Sequence, residues 1–201
     1  MDYLILGFLT GLSLILAIGA QNIFVIEQGL KKQYIFIVCL ICSISDFLLI
    51  FLGIFLFQYL NYFFTPTIEL VFNILLLIFL LHFIWGKIKT KVSETSFDVD
   101  SKTNNLSNIV VKTLGFTFLN PHVYSDTVFF LGNFSKSLSQ VDKYYFGAGA
   151  AISSFLFFFI IGYLSKYFSK YLKSATVWKR INYLIILFMS ILALTVLMEI
   201  I

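Results

Sequence analysis

Two acidic residues stand inside apolar sequence, where a carboxylate is costly. Asp46 lies within the hydrophobic run 34–58 and Asp126 within the run 110–132. A charged side chain at the centre of a bilayer costs roughly 2.5–3.5 kcal/mol on insertion scales, so it is retained more readily where it faces a protein-lined, wet or charge-paired interior. There it can pair with a cation or handle a proton. The alternative is a buried, hydrogen-bonded pair that only locks a helix bundle, with Ser43 and Ser45 as donors to Asp46.

Polar residues also interrupt the run around Asp126. Pro121 has no backbone N–H, so a helix that passes through it loses a hydrogen bond and tends to kink or break. It is flanked by Asn120, His122 and Tyr124. His122 and Asp126 are four residues apart, which places them on one face of an α-helix. The pair either relays a proton, since histidine titrates near neutral pH, or forms a structural hydrogen bond that fixes the kink.

Gln21 and Asn22 place two amides in the otherwise apolar first run. They either mend a loosened helical turn or offer hydrogen-bonding groups to a polar ligand, and the sequence favours neither. A helix broken near a buried acid is a common way to build a binding site at the middle of a membrane, and the N–H groups at such a break attract carboxylates. The candidate site for a substrate or ion therefore comprises Asp46, Asp126, Gln21, Asn22, Asn120, Pro121, His122 and Tyr124.

The composition is that of a membrane protein. Hydrophobic residues make up 60% of the 201 residues and charged residues 12%, whereas soluble domains carry about 25% charged residues. The formal net charge is +4, but the positive residues cluster between hydrophobic runs. That pattern indicates membrane orientation rather than a nucleic-acid partner.

The sequence motifs of enzymes and metal sites are missing. The chain has no HExxH, no GxSxG and no Cys/His cluster at metal-ligand spacing. Cys39 and Cys42 form a CxxC inside an apolar run without a second Cys pair, so we interpret them as small packing residues. With Asp46 and Gly53 they fall on one helical stripe, which we expect to face protein. The sequence predicts neither enzyme activity nor a cofactor.

Six hydrophobic runs are long enough, at about 20 residues, to span a membrane. They lie near residues 3–26, 34–58, 67–86, 110–132, 144–165 and 181–200. Each group of three opens with an interrupted run and holds one acid, which predicts an all-α integral membrane protein of six transmembrane helices in two inverted three-helix repeats, each with a broken first helix. The single transmembrane domain 1–201 would consist of a first repeat, 1–86, a polar cytoplasmic linker, 87–109, and a second repeat, 110–201.

The positive charges predict an orientation. Of the 14 Lys and Arg residues, all but Lys136 and Lys143 lie in or beside the alternate connections 27–33, 87–109 and 166–180. The positive-inside rule places these three connections in the cytoplasm.

Small residues mark two packing surfaces. Gly7 and Gly11 are at GxxxG spacing, and the fifth run begins with Gly147 and Gly149. Such faces let helices approach closely. We expect them to pack inside the chain, although the same spacing would also allow a homodimer.

Three segments of the chain match a known family: GAQNIFVIEQGLKK, CSISDFLLIFLG and LNPHVYSDTVFFLG. The chain resembles the LysE-type basic amino acid exporters of bacteria, the lysine/arginine exporter family. GAQN together with NPHVYxD is specific, since related amino acid exporters show PGPN and NPK variants instead. The resemblance implies a secondary transporter of the bacterial inner membrane that exports L-lysine or L-arginine, coupled to the proton motive force. The alternatives are export of other amino acids or small metabolites of the wider superfamily, or a channel.

Such a cargo sets the chemistry of its site. Lysine and arginine each carry a carboxylate, an α-ammonium group and a cationic side chain, so the site needs a buried negative group, for which Asp46 and Asp126 are the candidates. Moving a cation out of a cell that is negative inside works against about 2.3 kcal/mol per 100 mV. We therefore expect coupling to inward protons or outward hydroxide.

Overall fold

The regular structure is helical wherever the chain is described. The computed structural model describes residues 2–16, 19–63, 65–89, 105–120, 123–170 and 175–200, without the side chains of residues 58–63, 69, 125, 175, 178 and 199. In chain order the elements are α1 (Asp2–Ile15), α2 (Ala20–Lys31), α3 (Ile35–Phe63), α4 (Pro66–Lys89), α5 (Leu106–Phe118), a π-helix (Tyr124–Phe130), α6 (Leu131–Ser135), α7 (Gln140–Ser169) and α8 (Ala175–Ile200).

Both interruptions that the sequence predicts are present. In the first run, α1 and α2 meet at an angle of 82°, and Gly19 precedes α2 in an extended conformation. In the fourth run, α5 ends at Phe118 and the π-helix begins at Tyr124. The fourth run is therefore not one continuous helix.

Four described helices are long and apolar enough to cross a membrane: Ile35–Phe57 within α3, Pro66–Lys89, Gln140–Ser169 and Lys179–Met198 within α8. The bent pair of α1 and α2 counts as a fifth span if the two are joined, and α5 alone is a shorter apolar helix. The chain is thus an all-α membrane protein, with fewer uninterrupted spans than its six hydrophobic runs.

The helix α7 lies at the centre of the bundle and contacts α1, α2 and α3, while α4 pairs with α8. Its contact with α1 is made by the predicted small-residue surfaces. A Cβ atom added at Gly11 would lie 2.8 Å from Cα of Ala150, and one added at Gly7 would collide with the carbonyl of Phe146. Both GxxxG glycines therefore pack inside the chain, and a homodimer would need a different surface.

The stripe predicted along α3 faces protein. Cys39, Cys42, Asp46 and Gly53 are all buried, whereas Phe36, Phe47 and Leu52 on the other side are exposed, as expected for residues that face lipid. Both cysteines are free, and the Cys39 thiol donates a hydrogen bond to the carbonyl of Phe158 at 3.2 Å.

The positively charged connections meet at one end of the bundle. Lys87, at the end of α4, pairs with Glu27 of α2. Gly29 packs on Gly162 and Ser165 near the end of α7. Glu27 and Gly29 of the first positively charged connection thus lie at the same end of the bundle as the end of α4 and the end of α7.

The π-helix is held against the end of α5 and against α3. The hydroxyl of Tyr124 donates to the carbonyl of Phe118 at 2.9 Å, across the break. Gly53 of α3 and Gly132 of α6 permit close contact: a Cβ atom at Gly132 would lie 2.6 Å from the carbonyl oxygen of Gly53. Short π-helical segments are rare in proteins, and those that occur are often found at functional sites. His122 lies outside the described residues, so its pairing with Asp126 stays a prediction.

Candidate functional site

A cavity of about 280 Å³ lies at the two helix breaks. Its wall combines the first turn of α2, the middle of α3, the π-helix and the middle of α7. The helices α1, α4 and α8 add side chains that are apolar except for Thr195. Five of the eight predicted site residues line it: Gln21, Asn22, Asp46, Asn120 and Asp126. The fold thus brings residues that are far apart in the sequence to the wall of one cavity.

Asp46 lies at the middle of the span Ile35–Phe57, and only 5% of its surface is exposed. The hydroxyl of Ser154, on α7, donates a hydrogen bond to its Oδ2 atom at 2.7 Å. The expectation that Ser43 supplies this bond is wrong, because Oγ of Ser43 is buried without a hydrogen-bond partner among the described residues. The carboxylate is held by a neighbouring helix, and it contributes to the cavity wall.

The two amides of the first break have different roles. Nδ2 of Asn22 donates to the carbonyl of Ile15 at 3.0 Å and so joins the start of α2 to the end of α1. Nε2 of Gln21 is buried and has no hydrogen-bond partner among the described residues. The first N–H groups of a helix have no acceptor in a preceding turn, and Gly19 offers no side chain to cap them. Asn22 therefore joins α1 to α2 across the break, while Gln21 lines the cavity.

The second break brings Asn120 and Asp126 to the same cavity. Asn120 is buried, and its carbonyl accepts a hydrogen bond from the N–H of Val123 at 3.2 Å. Asp126 is partly exposed and reaches the cavity from the π-helix. The two membrane acids, which come from different halves of the chain, therefore face one shared space.

The other three predicted residues, Pro121, His122 and Tyr124, are not among the described residues that line the cavity. Tyr124 uses its hydroxyl to bridge the break, and its ring packs 5.2 Å from that of Phe72. Pro121 and His122 lie outside the described residues, so their roles stay predictions.

Sequence reasoning missed several residues of the wall and one buried acid. Ser154 belongs to a run of small residues that we interpreted as packing, and Thr195 lines the cavity from α8, for which no site was predicted. Glu27 was assigned to a polar connection, but it lies in α2 and is only 2% exposed. The serine pair in the fifth run was the one available signal for Ser154.

The arrangement can hold a small molecule of mixed charge. Two carboxylates can pair with cationic groups, and the N-terminal end of α2 can receive an anionic group. Most of the remaining wall is apolar, as in typical small-molecule sites. Among the described residues, no group of three or more His, Cys, Asp or Glu side chains is suited to a metal ion.

Comparison with known proteins identifies the family. The model of the LysE type translocator family matches residues 12–200. The chain is 34% identical over 191 residues to the arginine exporter protein ArgO of Pectobacterium atrosepticum, covering 89% of this chain and 88% of the relative. It is 32% identical over 199 residues to ArgO of Salmonella typhimurium, covering 96% of this chain and 92% of the relative. No solved structure matches the chain.

The family match extends over the cavity wall from Leu14 to Val196. It confirms that the chain is a transporter rather than an enzyme, and a multi-pass protein of the bacterial inner membrane. The chain belongs to the LysE family of translocators.

Proposed function

We propose that the chain exports basic L-amino acids, arginine or lysine or both, from the cytoplasm as a secondary transporter. The observation that carries this proposal is the shared cavity, in which two carboxylates, an unpartnered amide and a helix N-terminus face about 280 Å³ of space. That volume is close to the lower end of small-molecule pockets, about 300 Å³, and suits a single amino acid. The relatives named arginine exporters support the same cargo.

The cargo would lie with its charges against complementary groups. We assign the cationic side chain and the α-ammonium group to Asp46 and Asp126. The carboxylate of the cargo would be received by the first N–H groups of α2 and by Nε2 of Gln21. The start of α2 lies at the cavity wall, and Nε2 of Gln21 is buried there without a hydrogen-bond partner among the described residues. Asn120 lies at the corresponding break of the second half.

We further propose that export is coupled to protons. A cation that leaves a cell with a negative interior must be driven, at about 2.3 kcal/mol per 100 mV. Of the described residues that line the cavity, Asp46 and Asp126 are the titratable ones. Proton binding at these carboxylates would compete with cation binding and so provide an exchange.

We also propose that residues 1–86 and 110–201 form two inverted repeats joined by the linker 87–109. In support, the first hydrophobic run of each half is broken, and both breaks adjoin the cavity. In transporters of this plan, the substrate site lies between the repeats near the middle of the membrane.

The direct test uses inverted membrane vesicles, in which the cytoplasmic face points outward. We expect saturable uptake of labelled arginine or lysine, stimulated by an imposed proton gradient. Unlabelled arginine and lysine should inhibit this uptake, while citrulline, a neutral analogue of arginine, should not. Uptake that neither saturates nor responds to the proton gradient would indicate a channel. No difference from vesicles without the protein would refute the proposal.

Ser154→Ala removes the hydrogen-bond donor to Asp46. Because hydrogen bonds to charged groups contribute roughly 1.5–3 kcal/mol, we expect the half-saturating arginine concentration to rise about tenfold or more. Ser153→Ala is the matched control: its hydroxyl donates only to the carbonyl of Ala150 in the same helix, at 2.7 Å. Concentration series of both variants in inverted vesicles check the prediction, and equal values for the two would contradict it.

A further inference from the structure

Three chain segments run from the cavity to the positively charged end of the bundle with the same order of three residue types. Each has a residue of the cavity wall, then a phenylalanine, then a charged residue, at intervals of three or four residues. The series are Gln21, Phe24 and Glu27 in α2, Leu80, Phe83 and Lys87 in α4, and Asn120, Phe116 and Lys112 along and just beyond α5. With a rise of 1.5 Å per residue, the charged layer lies roughly 10 Å from the cavity.

The aromatic layer is closed. The ring centroids of Phe24 and Phe116 are 5.0 Å apart, those of Phe83 and Phe116 are 5.0 Å apart, and those of Phe24 and Phe83 are 6.3 Å apart. All three side chains are buried. A solute that passes from the cavity to the charged end between α2, α4 and α5 therefore requires these helices to separate at the rings.

The charged layer ties two of these helices together through one carboxylate. Oε1 of Glu27 accepts from Lys31 of the same helix at 2.6 Å and from Lys87 of α4. The side chain of Lys87 is 10% exposed and that of Lys31 is 29% exposed. Oε2 of Glu27 is buried and has no hydrogen-bond partner among the described residues.

Separating the helices would change the surroundings of Glu27. Lys87 would leave with α4 and Lys112, which also interacts with Glu27, would leave with α5. The carboxylate would keep Lys31, on Oε1. Depriving a buried carboxylate of a cationic partner is strongly unfavourable. A cationic group from outside can take the vacated position, and an alkylammonium or guanidinium group has the same charge and donor chemistry as the Lys87 ammonium group.

We propose that Glu27 is a cytoplasmic binding site for the cationic group of the cargo, that Lys87 occupies this site in the closed state, and that Phe24, Phe83 and Phe116 form the gate behind it. The gate then opens most readily when a cation is present to replace Lys87. This inference rests on the proposed export of basic amino acids and adds a second site to it, on the cytoplasmic side of the cavity.

The two partners of the ion pair should affect cargo binding in opposite directions. Lys87→Gln removes the tethered competitor, so the half-saturating arginine concentration at the cytoplasmic face should fall about tenfold, whereas Glu27→Gln removes the site and should raise it about tenfold. Lys89→Gln is the control, because Lys89 lies over the ring of Trp85 on the same helix and does not pair with Glu27. Concentration series in inverted vesicles give these values.

An ion pair that only stabilises the fold would shift both variants in the same direction, and that result would overturn the cytoplasmic site while leaving arginine export intact. An absence of arginine and lysine uptake by the parent chain would instead overturn the proposed function and this inference with it.

A second measurement keeps the ion pair unaltered. Val196→Cys places a thiol at the cavity wall, where Val196 is buried, and the parent chain, whose two cysteines are buried, gives the background. A membrane-impermeant maleimide is added at the cytoplasmic face. Labelling should increase several-fold with saturating arginine and not with citrulline, and Glu27→Gln should abolish the increase. Labelling that is the same with and without arginine, or equal for arginine and citrulline, would overturn the gate.

Discussion

Asp46→Asn reduces arginine uptake by at least about a hundredfold, because loss of one partner from a buried charge pair costs roughly 3–5 kcal/mol. The amide has nearly the same shape as the carboxylate, and its oxygen can still accept from Ser154, so the variant should fold and insert normally. Initial rates in inverted vesicles, divided by the amount of inserted protein, measure the effect. Asp126→Asn, at the other membrane acid of the cavity, should behave in the same way.

The control for these variants is Asp142→Asn. Asp142 lies in the first turn of α7, where it accepts a hydrogen bond from Ser139 at 2.6 Å, and it does not line the cavity. Its replacement should leave the uptake rate within about twofold of the parent rate, as for most surface substitutions. Parental rates in both Asp46→Asn and Asp126→Asn would show that the acids only stabilise the bundle.

Gly149→Val should prevent stable folding or lower the free energy of unfolding by about 3 kcal/mol or more, at the upper end of the cost of overpacking. A Cβ atom at this position would collide with the carbonyl oxygen of Leu4 and lie 2.7 Å from the nitrogen of Phe8. Both are backbone atoms of α1, so the contact can be relieved only by moving the whole helix. Thermal unfolding of the purified protein in detergent measures the loss.

Gly86→Val separates this contact from the intrinsic effect of replacing glycine in a helix. A Cβ atom at Gly86 meets no described atom within 4 Å apart from its chain neighbours and the backbone of its own helical turns. The change in helix propensity is the same at both positions and favours valine by a few tenths of a kcal/mol. Gly86→Val should therefore melt at or slightly above the parent temperature. Equal melting of the two variants would mean that α1 and α7 are not in backbone contact.

The sequence was sufficient to predict the features that depend on residues close together in the chain. A carboxylate in apolar sequence must face protein, so Asp46 could be placed at the site without any contact being known. Gly7 and Gly11 could be assigned to a helix contact, because small residues at that spacing do little else in an apolar helix. A break in the first run followed from the two amides Gln21 and Asn22 in apolar sequence, although it lies just before them, between Ile15 and Ala20.

The rest depends on contacts between distant residues. Ser154 is 108 positions from Asp46, and nothing near either residue marks the pair. Glu27 resembles a loop residue because Gln28, Lys31 and Lys32 follow it. Of its two ionic partners, Lys31 is four positions away, but Lys87 is 60 positions later and could not be predicted. The π-helix has no periodic signature in the sequence, so its register could not be predicted either.

The π-helix has a consequence for how this chain can vary. A segment with one surplus residue can lose that residue by a single in-frame deletion, after which ordinary α-helical bonding can resume. The deletion would turn the residues before it by about 100° relative to Leu131, the rotation of one α-helical residue. Asp126 would then leave the cavity wall although its codon had not changed. The position of the Asp126 carboxylate thus depends on the number of residues in the segment as much as on their identity.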